Sequence, residues 1–313
     1  MVRYLTELSL DAFVDAAENV PYQQINSDLF PNVNLWVRRD DLIDPIISGN
    51  KAYKLIYNLL EARKLGKDTI ATCGGAWSNH IHATAAAGQR FGFRTIGIIR
   101  GERPPALSSM LQDAERFGME LLFVSRRQYR ERESQGFLGA IGLPPSAYFI
   151  PEGGANYQGA LGSHLLADIV RRTQPFEFAE YWLACGTAVS VGGLRAKLSK
   201  KASVIGVPIL KAEAQVEINA KKWCERLGGK SGVLEIIRGG HAGGYAKQPW
   251  DLWQKIRLLE KCTEIALDGV YTGKLFSAMQ EEYAQSRGEK VNGKSILILH
   301  TGGLQGRRGA LYK

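Results

Sequence analysis

Short apolar runs alternate with amphipathic segments along most of this 313-residue chain. The runs are rich in Val, Ile, Phe and Tyr, whereas the segments between them place apolar residues at helical spacing. The predicted strands are 69–73, 94–100, 120–125, 147–151, 181–185, 203–209 and 295–300. Strands that alternate with helices are typical of an α/β protein, so we predict open, largely parallel twisted sheets flanked by helices.

Two segments are candidate boundaries between domains. One is residues 45–50, just before the first strong helical pattern, and the other is the glycine-rich stretch 153–162. A middle segment of this size is long enough for a separate domain. We therefore predict a small domain over 48–157 and a large domain formed by 1–47 and 158–313.

The composition is that of a soluble globular protein with excess positive charge. Hydrophobic residues make up 45% and charged residues 23%, and 40 Lys+Arg against 31 Asp+Glu leave a formal charge of +9. Such a charge invites a nucleic-acid partner. The basic residues are scattered over predicted helix faces at 62–67, 125–132 and 195–201, without a long basic run or an aromatic stacking motif. A nucleic-acid partner is therefore disfavoured, and the charge better suits a small anionic cofactor or substrate.

Cysteine spacing and hydropathy argue against several other classes of protein. The four cysteines lie far apart, with no C-x-x-C pair and no histidine at ligand spacing, so we predict neither a metal site nor a disulfide framework. Glu7, Asp11 and Asp15 interrupt the apolar positions of the N-terminal segment, which therefore lacks a signal-peptide core. No later apolar run approaches the roughly 18 residues of a membrane span. We expect a cytoplasmic protein without a membrane partner.

Ligands of open α/β sheets bind at the turns beyond the carboxyl ends of strands, and two such turns here are rich in glycine. Residues 74–80 (GGAWSNH) follow the first predicted strand and place Ser78 or Asn79 at a helix N-cap. Ordinary helix capping explains these residues as well as an anion site does. Residues 186–193 (GTAVSVGG) follow the fifth predicted strand, and their small residues and hydroxyls are typical of a phosphate cup.

Residues 288–295 (GEKVNGKS) satisfy the nucleotide-binding pattern G-x-x-x-x-G-K-[ST]. A working P-loop follows a strand and opens a helix. Here a helical pattern precedes the motif and the predicted strand 295–300 follows it, so the context is inverted. We interpret this segment as a polar turn between a helix and a strand.

Lys51 stands where a loop enters the first strongly amphipathic helix, in the segment 48–55 (SGNKAYKL). A positive side chain at a helix start is disfavoured by the helix dipole, so a surface lysine gains nothing electrostatically there. A solvated side chain is the commoner fate of lysines in general. Even so, Lys51 is the sharpest single candidate for a chemical role.

Together these motifs resemble the pyridoxal-phosphate enzymes of the tryptophan-synthase-β fold type, and within them the 1-aminocyclopropane-1-carboxylate deaminase and D-cysteine desulfhydrase group. The pieces that carry the resemblance stand in the family's order and span most of the chain. They are RRDDL (38–42), SGNKAYKL (48–55), GGAWSNHIHATAAAG (74–88), IPEGGANYQGALG (150–162), ACGTAVSVGGL (184–194), GGYAK (243–247), DGVYTGK (268–274) and HTGG (300–303). The resemblance implies a pyridoxal 5′-phosphate cofactor, a large and a small domain, and a homodimer.

The resemblance also implies roles for individual residues. Lys51 is similar to the lysine that binds the cofactor aldehyde covalently and later moves protons at the substrate α-carbon. A partly desolvated lysine near a cationic imine has a depressed pKa, which suits a nucleophile and base. Asn79 resembles the partner of the pyridine 3-hydroxyl. Trp77, Ser78 and His80 would lie beside the substrate, where Ser78 and the helix N-terminus hold its carboxylate.

The cup at 186–190 resembles the family's cofactor-phosphate loop. Its residues are Gly186, Thr187, Ala188, Val189 and Ser190, and Lys54 is implied as a further phosphate contact. Family members usually have glycine within the stretch where Ala188 and Val189 stand here. We therefore expect the backbone geometry of this loop to differ.

Tyr245 and Tyr271 match the family's two active-site tyrosines, and Thr272 stands where the partner of the pyridine nitrogen is expected. The related deaminases carry glutamate at that position, which keeps the nitrogen protonated, whereas threonine shares only a neutral hydrogen bond. The weaker electron sink suits β-elimination with a good leaving group. His80 indicates the same, because the deaminases typically have glutamine there. The favoured activity is therefore a D-cysteine-desulfhydrase-like lyase that forms pyruvate, ammonia and sulfide.

Two other functions stay open beside this lyase. One is a 1-aminocyclopropane-1-carboxylate deaminase, or an enzyme acting on another amino acid. The other is a cofactor-binding protein without turnover, because the phosphate cup and the segment after Gly303 depart from the family pattern. In that segment Arg307 and Arg308 are candidates for a substrate carboxylate, although a solvated tail is the favoured interpretation.

Overall fold

The structure is a computed structural model that describes residues 5–229, 232–284 and 293–309. These residues contain the seven predicted strands, which are confirmed within one or two residues at each end, and three further ones. In chain order the strands are β1 (Tyr22–Ile25), β2 (Asn34–Arg38), β3 (Thr69–Gly74), β4 (Arg94–Arg100), β5 (Met119–Val124), β6 (Tyr148–Ile150), β7 (Glu180–Cys185), β8 (Ser203–Pro208), β9 (Leu234–Ile236) and β10 (Ser295–Leu299).

The helices alternate with these strands, as the sequence predicts. They are α1 (Leu10–Glu18), α2 (Asn50–Lys64), α3 (Asn79–Phe91), α4 (Ser109–Arg116), α5 (Arg126–Arg130), α6 (Phe137–Ala140), α7 (Tyr157–Thr173), α8 (Val189–Lys197), α9 (Glu213–Arg226), α10 (Trp250–Thr263) and α11 (Thr272–Glu282). Short 3-10 turns lie at Asp40–Leu42, Glu152–Gly154 and Leu304–Gly309. In the part of the chain that the structure describes, no helix is both long and apolar enough to cross a membrane.

The strands form two separate sheets. The larger has the order β1-β2-β10-β7-β8-β9, and only the β1–β2 pair in it is antiparallel. The smaller has the order β5-β4-β3-β6 and is wholly parallel. Helices pack on both sheets, so the predicted class, α/β with two largely parallel sheets, is confirmed. The smaller sheet falls inside the segment 48–157; the domain boundaries themselves stay a prediction.

The three strands absent from the sequence prediction are short or lack a continuous apolar run. β1 (YQQI) has two glutamines, and β9 has three residues that are all only partly buried. β2 (NLWVR) alternates, with Leu35 and Val37 fully buried and the intervening Trp36 partly exposed. Its place in the sheet depends on pairing with β10, some 260 residues away, which local pattern does not reveal.

A close contact between α2 and α7 fixes the helix that carries Lys51. A Cβ added at Gly162 of α7 would lie 1.8 Å from the carbonyl oxygen of Tyr53, so only glycine permits this approach. The Tyr53 hydroxyl donates to the buried carboxylate of Asp40 at 2.8 Å, and Arg38 pairs with the same carboxylate at 3.1 Å. The RRDDL motif therefore anchors α2 against the larger sheet.

The segment that satisfies the P-loop pattern lies mostly outside the described residues. Residues 285–292 belong to that undescribed part, whereas Gly293 lies in a turn and β10 begins at Ser295. The predicted strand after the motif is thus confirmed. A P-loop would require a helix there instead.

Candidate active site

A cavity of about 1110 Å³ lies at the carboxyl ends of β3, β6, β7 and β8, where an open α/β fold places its ligands. It brings together ten of the residues singled out from the sequence. These are Lys51, Lys54, Ser78, His80, Gly186, Thr187, Ala188, Ser190, Tyr245 and Tyr271. They come from five separate parts of the chain, so the fold assembles one site from the two glycine-rich turns, the lysine helix and the two tyrosine segments.

Four other predicted residues lie beside the cavity wall without lining it. Trp77 packs against the backbone at Gly309, and Val189 is a fully buried first residue of α8. The Asn79 amide oxygen accepts a weak hydrogen bond from Gln305 at 3.4 Å. Thr272 is completely buried at the start of α11. Their proposed ligand contacts stay predictions.

Lys51 reaches the cavity because the chain turns sharply at Gly49. Gly49 has φ 64° and ψ −150°, a conformation that is essentially restricted to glycine. A Cβ there would lie 2.0 Å from the carbonyl oxygen of Thr301, and the Asn50 N–H donates to that same oxygen at 3.4 Å. The segment after β10 therefore seats the first turn of α2.

The Lys51 amine is buried and lacks a carboxylate at ion-pair distance among the described residues. Its Nζ donates to Oδ1 of Asn50 at 2.8 Å and lies 5.8 Å from the ring centroid of Tyr271. Burial lowers the pKa of Lys51 to about 8, while the more distant charge of Asp268 acts in the opposite direction. Roughly a tenth of this amine is consequently neutral at pH 7, far more than for an ordinary lysine, and only the neutral form serves as a nucleophile or base.

Lys54 and His80 form a second buried pair of basic groups. The Lys54 ammonium donates to the carbonyl oxygen of Gly153 at 3.1 Å, and burial together with the charge of Lys51 puts its pKa well below the usual value. Burial, followed by the charges of both lysines, also lowers the pKa of His80 well below its usual value. Neither ring nitrogen of His80 has a hydrogen-bond partner among the described residues. The imidazole is therefore neutral, with its donor and its acceptor both available to a ligand.

The cup at 186–190 is the start of α8. Ser190 Oγ accepts a hydrogen bond from the Asn50 amide at 3.2 Å, which ties the cup to the lysine helix. Ala188 is the N-cap and adopts φ 63° and ψ −5°, in the left-handed region that glycine favours. The loss of glycine thus does not prevent a left-handed backbone here; alanine adopts that conformation at some cost in strain.

The two tyrosines meet on another wall of the cavity. The side chains of Tyr245 and Tyr271 lie close enough for each to shift the pKa of the other. Burial raises the pKa of Tyr245 to about 12 and that of Tyr271 well above its usual value. Both phenols therefore stay protonated at physiological pH and act as hydrogen-bonding groups rather than as bases.

Asp268 lies near the site, and the sequence reasoning gave it no role. Its carboxylate accepts hydrogen bonds from the backbone N–H groups of Val270, Tyr271 and Thr272 and from the Thr272 hydroxyl, all at 2.8–2.9 Å. The same hydroxyl accepts from the Asp268 N–H at 2.9 Å, so the Thr272 proton is directed at Asp268. An aspartate just before a helix start was the available signal.

Arg307 and Arg308 do not line the cavity. Arg307 pairs with Glu260 of α10 at 3.0 Å, and Arg308 pairs with Asp113 of α4. The described residues up to Gly309 are therefore not a freely solvated tail, whereas residues 310–313 lie outside the described part of the chain. The 3-10 turn at Leu304–Gly309 instead fastens the segment after β10 to two helices. The candidate contact with a substrate carboxylate stays a prediction.

Comparison with known proteins decides the family. A family profile described as "Pyridoxal-phosphate dependent enzyme" matches residues 17–302, which is most of the chain. The chain belongs to the pyridoxal-phosphate dependent enzymes. It is 30% identical over 294 residues to a putative 1-aminocyclopropane-1-carboxylate deaminase of Thermotoga maritima, covering 87% of this chain and 89% of that protein. It is 28% identical over 291 residues to D-cysteine desulfhydrase of Yersinia enterocolitica, covering 86% of each.

The fold of this pyridoxal-phosphate dependent enzyme also matches a solved relative. The crystal structure of an ACC deaminase homologue superimposes with a TM-score of 0.77 at 27% identity, covering 93% of this chain and 92% of that one. The tryptophan-synthase-β-like fold and the pyridoxal-phosphate cofactor predicted from the sequence motifs are therefore confirmed.

The cavity's residues fit pyridoxal phosphate. The buried Lys54 amine, which a bound anion would favour in its charged form, and the N-terminus of α8 with its hydroxyls are suited to the phosphate. The Lys51 amine is suited to the cofactor aldehyde, and the unpartnered nitrogens of His80 offer hydrogen bonds inside the same cavity. Two cysteines, Cys73 and Cys185, also line it, but burial raises the pKa of each to about 12, so both remain thiols.

The pKa of Lys51 predicts how fast the apoprotein binds its cofactor at different pH values. Only the neutral amine attacks the aldehyde, and with a pKa of about 8 roughly a tenth of it is neutral at pH 7. The second-order rate of pyridoxal-phosphate binding, followed by stopped-flow absorbance, should rise about tenfold per pH unit below pH 8 and level off above. A rate that still rises tenfold between pH 9 and 10 would show that the pKa of the Lys51 amine is not lowered.

The conformation of Ala188 predicts opposite effects of two substitutions. Ala188→Gly removes the left-handed strain and should keep the dissociation constant of pyridoxal phosphate within about threefold. Ala188→Val puts a β-branched residue at φ 63° in a fully packed position, and should weaken binding at least about tenfold. Ala196→Val, the same change within α8, is the control. Equal affinities for the Gly and Val variants in a spectroscopic titration would refute this view of the cup.

Proposed function

We propose that the enzyme catalyses the α,β-elimination of D-cysteine to pyruvate, ammonia and sulfide. The observation that carries the proposal is at position 272. A threonine stands there, so this side chain supplies no carboxylate to the cofactor ring. Its hydroxyl proton is directed at Asp268 instead. An enzyme with a weaker electron sink is best suited to a reaction in which the leaving group departs easily, and a thiolate is such a group.

Each group in the cavity would have its own role in this reaction. Bound pyridoxal phosphate supplies the electron sink for the bond broken at the α-carbon. The N-terminus of α3 with Ser78 binds the substrate carboxylate, because free N–H groups and the helix dipole favour an anion there. The neutral Lys51 amine removes the α-proton. Neutral His80 and protonated Tyr271 offer hydrogen bonds beside it.

The overall reaction needs no reagent other than water. The α-proton passes to Lys51, the Cβ–S bond breaks, and the electron pair leaves with the sulfur as thiolate. The released aminoacrylate takes up one water and yields pyruvate and ammonia.

The products distinguish this proposal from its closest competitor. Purified enzyme should release sulfide and pyruvate in equal amounts from D-cysteine, with kcat/KM at least about tenfold above that for 1-aminocyclopropane-1-carboxylate. The control is the same assay with L-cysteine and other D-amino acids. Formation of 2-oxobutyrate from 1-aminocyclopropane-1-carboxylate as the faster reaction would overturn the proposal.

The second candidate is a 1-aminocyclopropane-1-carboxylate deaminase. The observation that favours it is the Thermotoga maritima relative, which bears that name and is slightly more similar to this chain than the desulfhydrase of Yersinia enterocolitica. A relative in Arabidopsis thaliana, 26% identical over 337 residues, is named for both activities. The product assay above decides between the two.

We also propose that the enzyme works as a cytoplasmic homodimer. The family resemblance supports the dimer. The four cysteines are all free in the described structure, which suits a reducing compartment. Light scattering should give twice the chain mass of 34.5 kDa, and a mass equal to one chain would overturn the dimer.

A further inference from the structure

Lys274 is a fully buried lysine outside the set of residues that line the cavity. It is the third residue of α11, has no exposed surface, and is among the largest completely buried side chains of the described structure. Its Nζ donates to the carbonyl oxygen of Gly244 at 2.7 Å. Burial lowers the pKa of this amine to about 8, although the charge of Asp268 opposes the shift.

A lysine in this position is costly for the fold. Burying an ammonium group away from water is unfavourable unless hydrogen bonds or an opposite charge compensate it. Among the described residues, no carboxylate lies within ion-pair distance of Nζ, and its hydrogen bond is to a backbone carbonyl. A leucine or methionine would pack at such a site without this penalty, so the fold itself does not require the charge.

The bond to Gly244 holds the segment that carries Tyr245. Gly244 has φ 116°, and the following residue is Tyr245, which lines the cavity beside Tyr271. Tyr271 in turn immediately precedes α11, three residues before Lys274. The Lys274–Gly244 hydrogen bond thus links the two segments that carry these tyrosines.

We propose that Lys274 is a positioning residue, which holds the backbone at Gly244 so that the Tyr245 side chain keeps its place beside Tyr271 in the active site. It touches neither cofactor nor substrate and acts through Tyr245. The proposal rests on the proposed function for its kinetic consequence, but its structural consequence, an ordered segment 239–247, is independent of the substrate.

Lys274→Met tests the proposal because it keeps most of the length and volume of the side chain and removes the donor. In the holoenzyme, amide hydrogen exchange across 239–247 should become at least about tenfold faster, while exchange in α2 and α8 is unchanged. With D-cysteine, kcat should fall about tenfold and KM should stay within about threefold. Lys255→Met on α10, where the lysine is partly exposed and pairs with Glu281, is the matched control and should change neither.

A double-mutant cycle separates positioning from a general structural role. Because Lys274 acts through the Tyr245 hydroxyl, Lys274→Met should cost about tenfold in kcat in the wild type and less than about twofold in a Tyr245→Phe background. Lys274→Gln, which keeps an N–H donor on a stem one atom shorter, should recover part of kcat and part of the protection. If Lys274→Met does not fold, wild type and Lys274→Gln are compared in the same two assays.

Unchanged exchange across 239–247 in the Lys274 variants, or equal losses of kcat in the two backgrounds, would overturn the proposal. A wild-type enzyme that does not turn over D-cysteine would overturn the proposed function alone. The exchange measurement would still decide the role of Lys274.

Discussion

Lys51→Ala should abolish the visible absorption of bound pyridoxal phosphate and lower kcat at least about a thousandfold. The substitution removes the amine that binds the cofactor aldehyde and the base that takes the α-proton, and a positioned acid–base group alone contributes about 10²–10⁴. The buried position and lowered pKa of Lys51 are the structural grounds for both roles. An absorbance scan and a pyruvate assay measure the two effects.

Lys64→Ala is the matched control, because Lys64 is an exposed lysine in the last turn of the same helix. This control should retain colour and activity. A Lys51→Ala enzyme that is colourless and yet fully active would contradict the role of Lys51.

Gly49→Ala should lower the free energy of unfolding by at least about 2 kcal/mol and weaken cofactor binding at least about tenfold. The backbone conformation of Gly49 is essentially closed to alanine, a strain of about 1–3 kcal/mol. In addition, the new methyl group would meet the carbonyl oxygen of Thr301 at 2.0 Å, so α2 would have to move and Lys51 with it. Chemical denaturation and a pyridoxal-phosphate titration give the two values.

Gly66→Ala separates the effect of a positive φ from the effect of the contact with the Thr301 carbonyl oxygen. Gly66 also has a positive φ, 65°, but a methyl group there would have open space around it. We expect a loss of about 1 kcal/mol and unchanged cofactor affinity. Equal effects of the two substitutions on cofactor binding would refute the idea that Gly49 positions Lys51.

The seven strands with continuous apolar runs could be predicted from the sequence because buried parallel strands read as such runs. β2 could not, although Leu35 and Val37 are as buried as any core residue. It is part of the sheet through a pairing with β10 that closes a very long loop, and β1 is added to its edge. Local pattern contains no information about such distant partners.

In the site, too, some features could be predicted from the sequence and others could not. Lys51, Ser78 and the cup at 186–190 could be found because each lies in a glycine-rich turn or at a helix start, where ligand contacts concentrate. The left-handed conformation of Ala188 could not, since alanine rarely adopts it and only the surrounding packing enforces it. The partners of Arg307 and Arg308 likewise lie on α10 and α4, more than forty residues away in sequence.

Three of the chain's basic residues lie together in the cavity. Within the cavity the charge of Lys51 lowers the pKa of Lys54, and the charges of both lysines lower the pKa of His80. No described carboxylate forms an ion pair with these three groups. Such a cluster is unfavourable by itself, and a bound anion would relieve the repulsion. A phosphorylated cofactor is the anion that the family and the cavity both support.

The central claim is that this cavity binds pyridoxal phosphate through Lys51 and uses it to break down D-cysteine. An absorbance scan of the purified protein, before and after D-cysteine is added, tests it most directly. We predict a visible band of bound cofactor that changes on addition and returns as the D-cysteine is consumed. A protein that binds pyridoxal phosphate but whose spectrum does not respond to D-cysteine would contradict the claim.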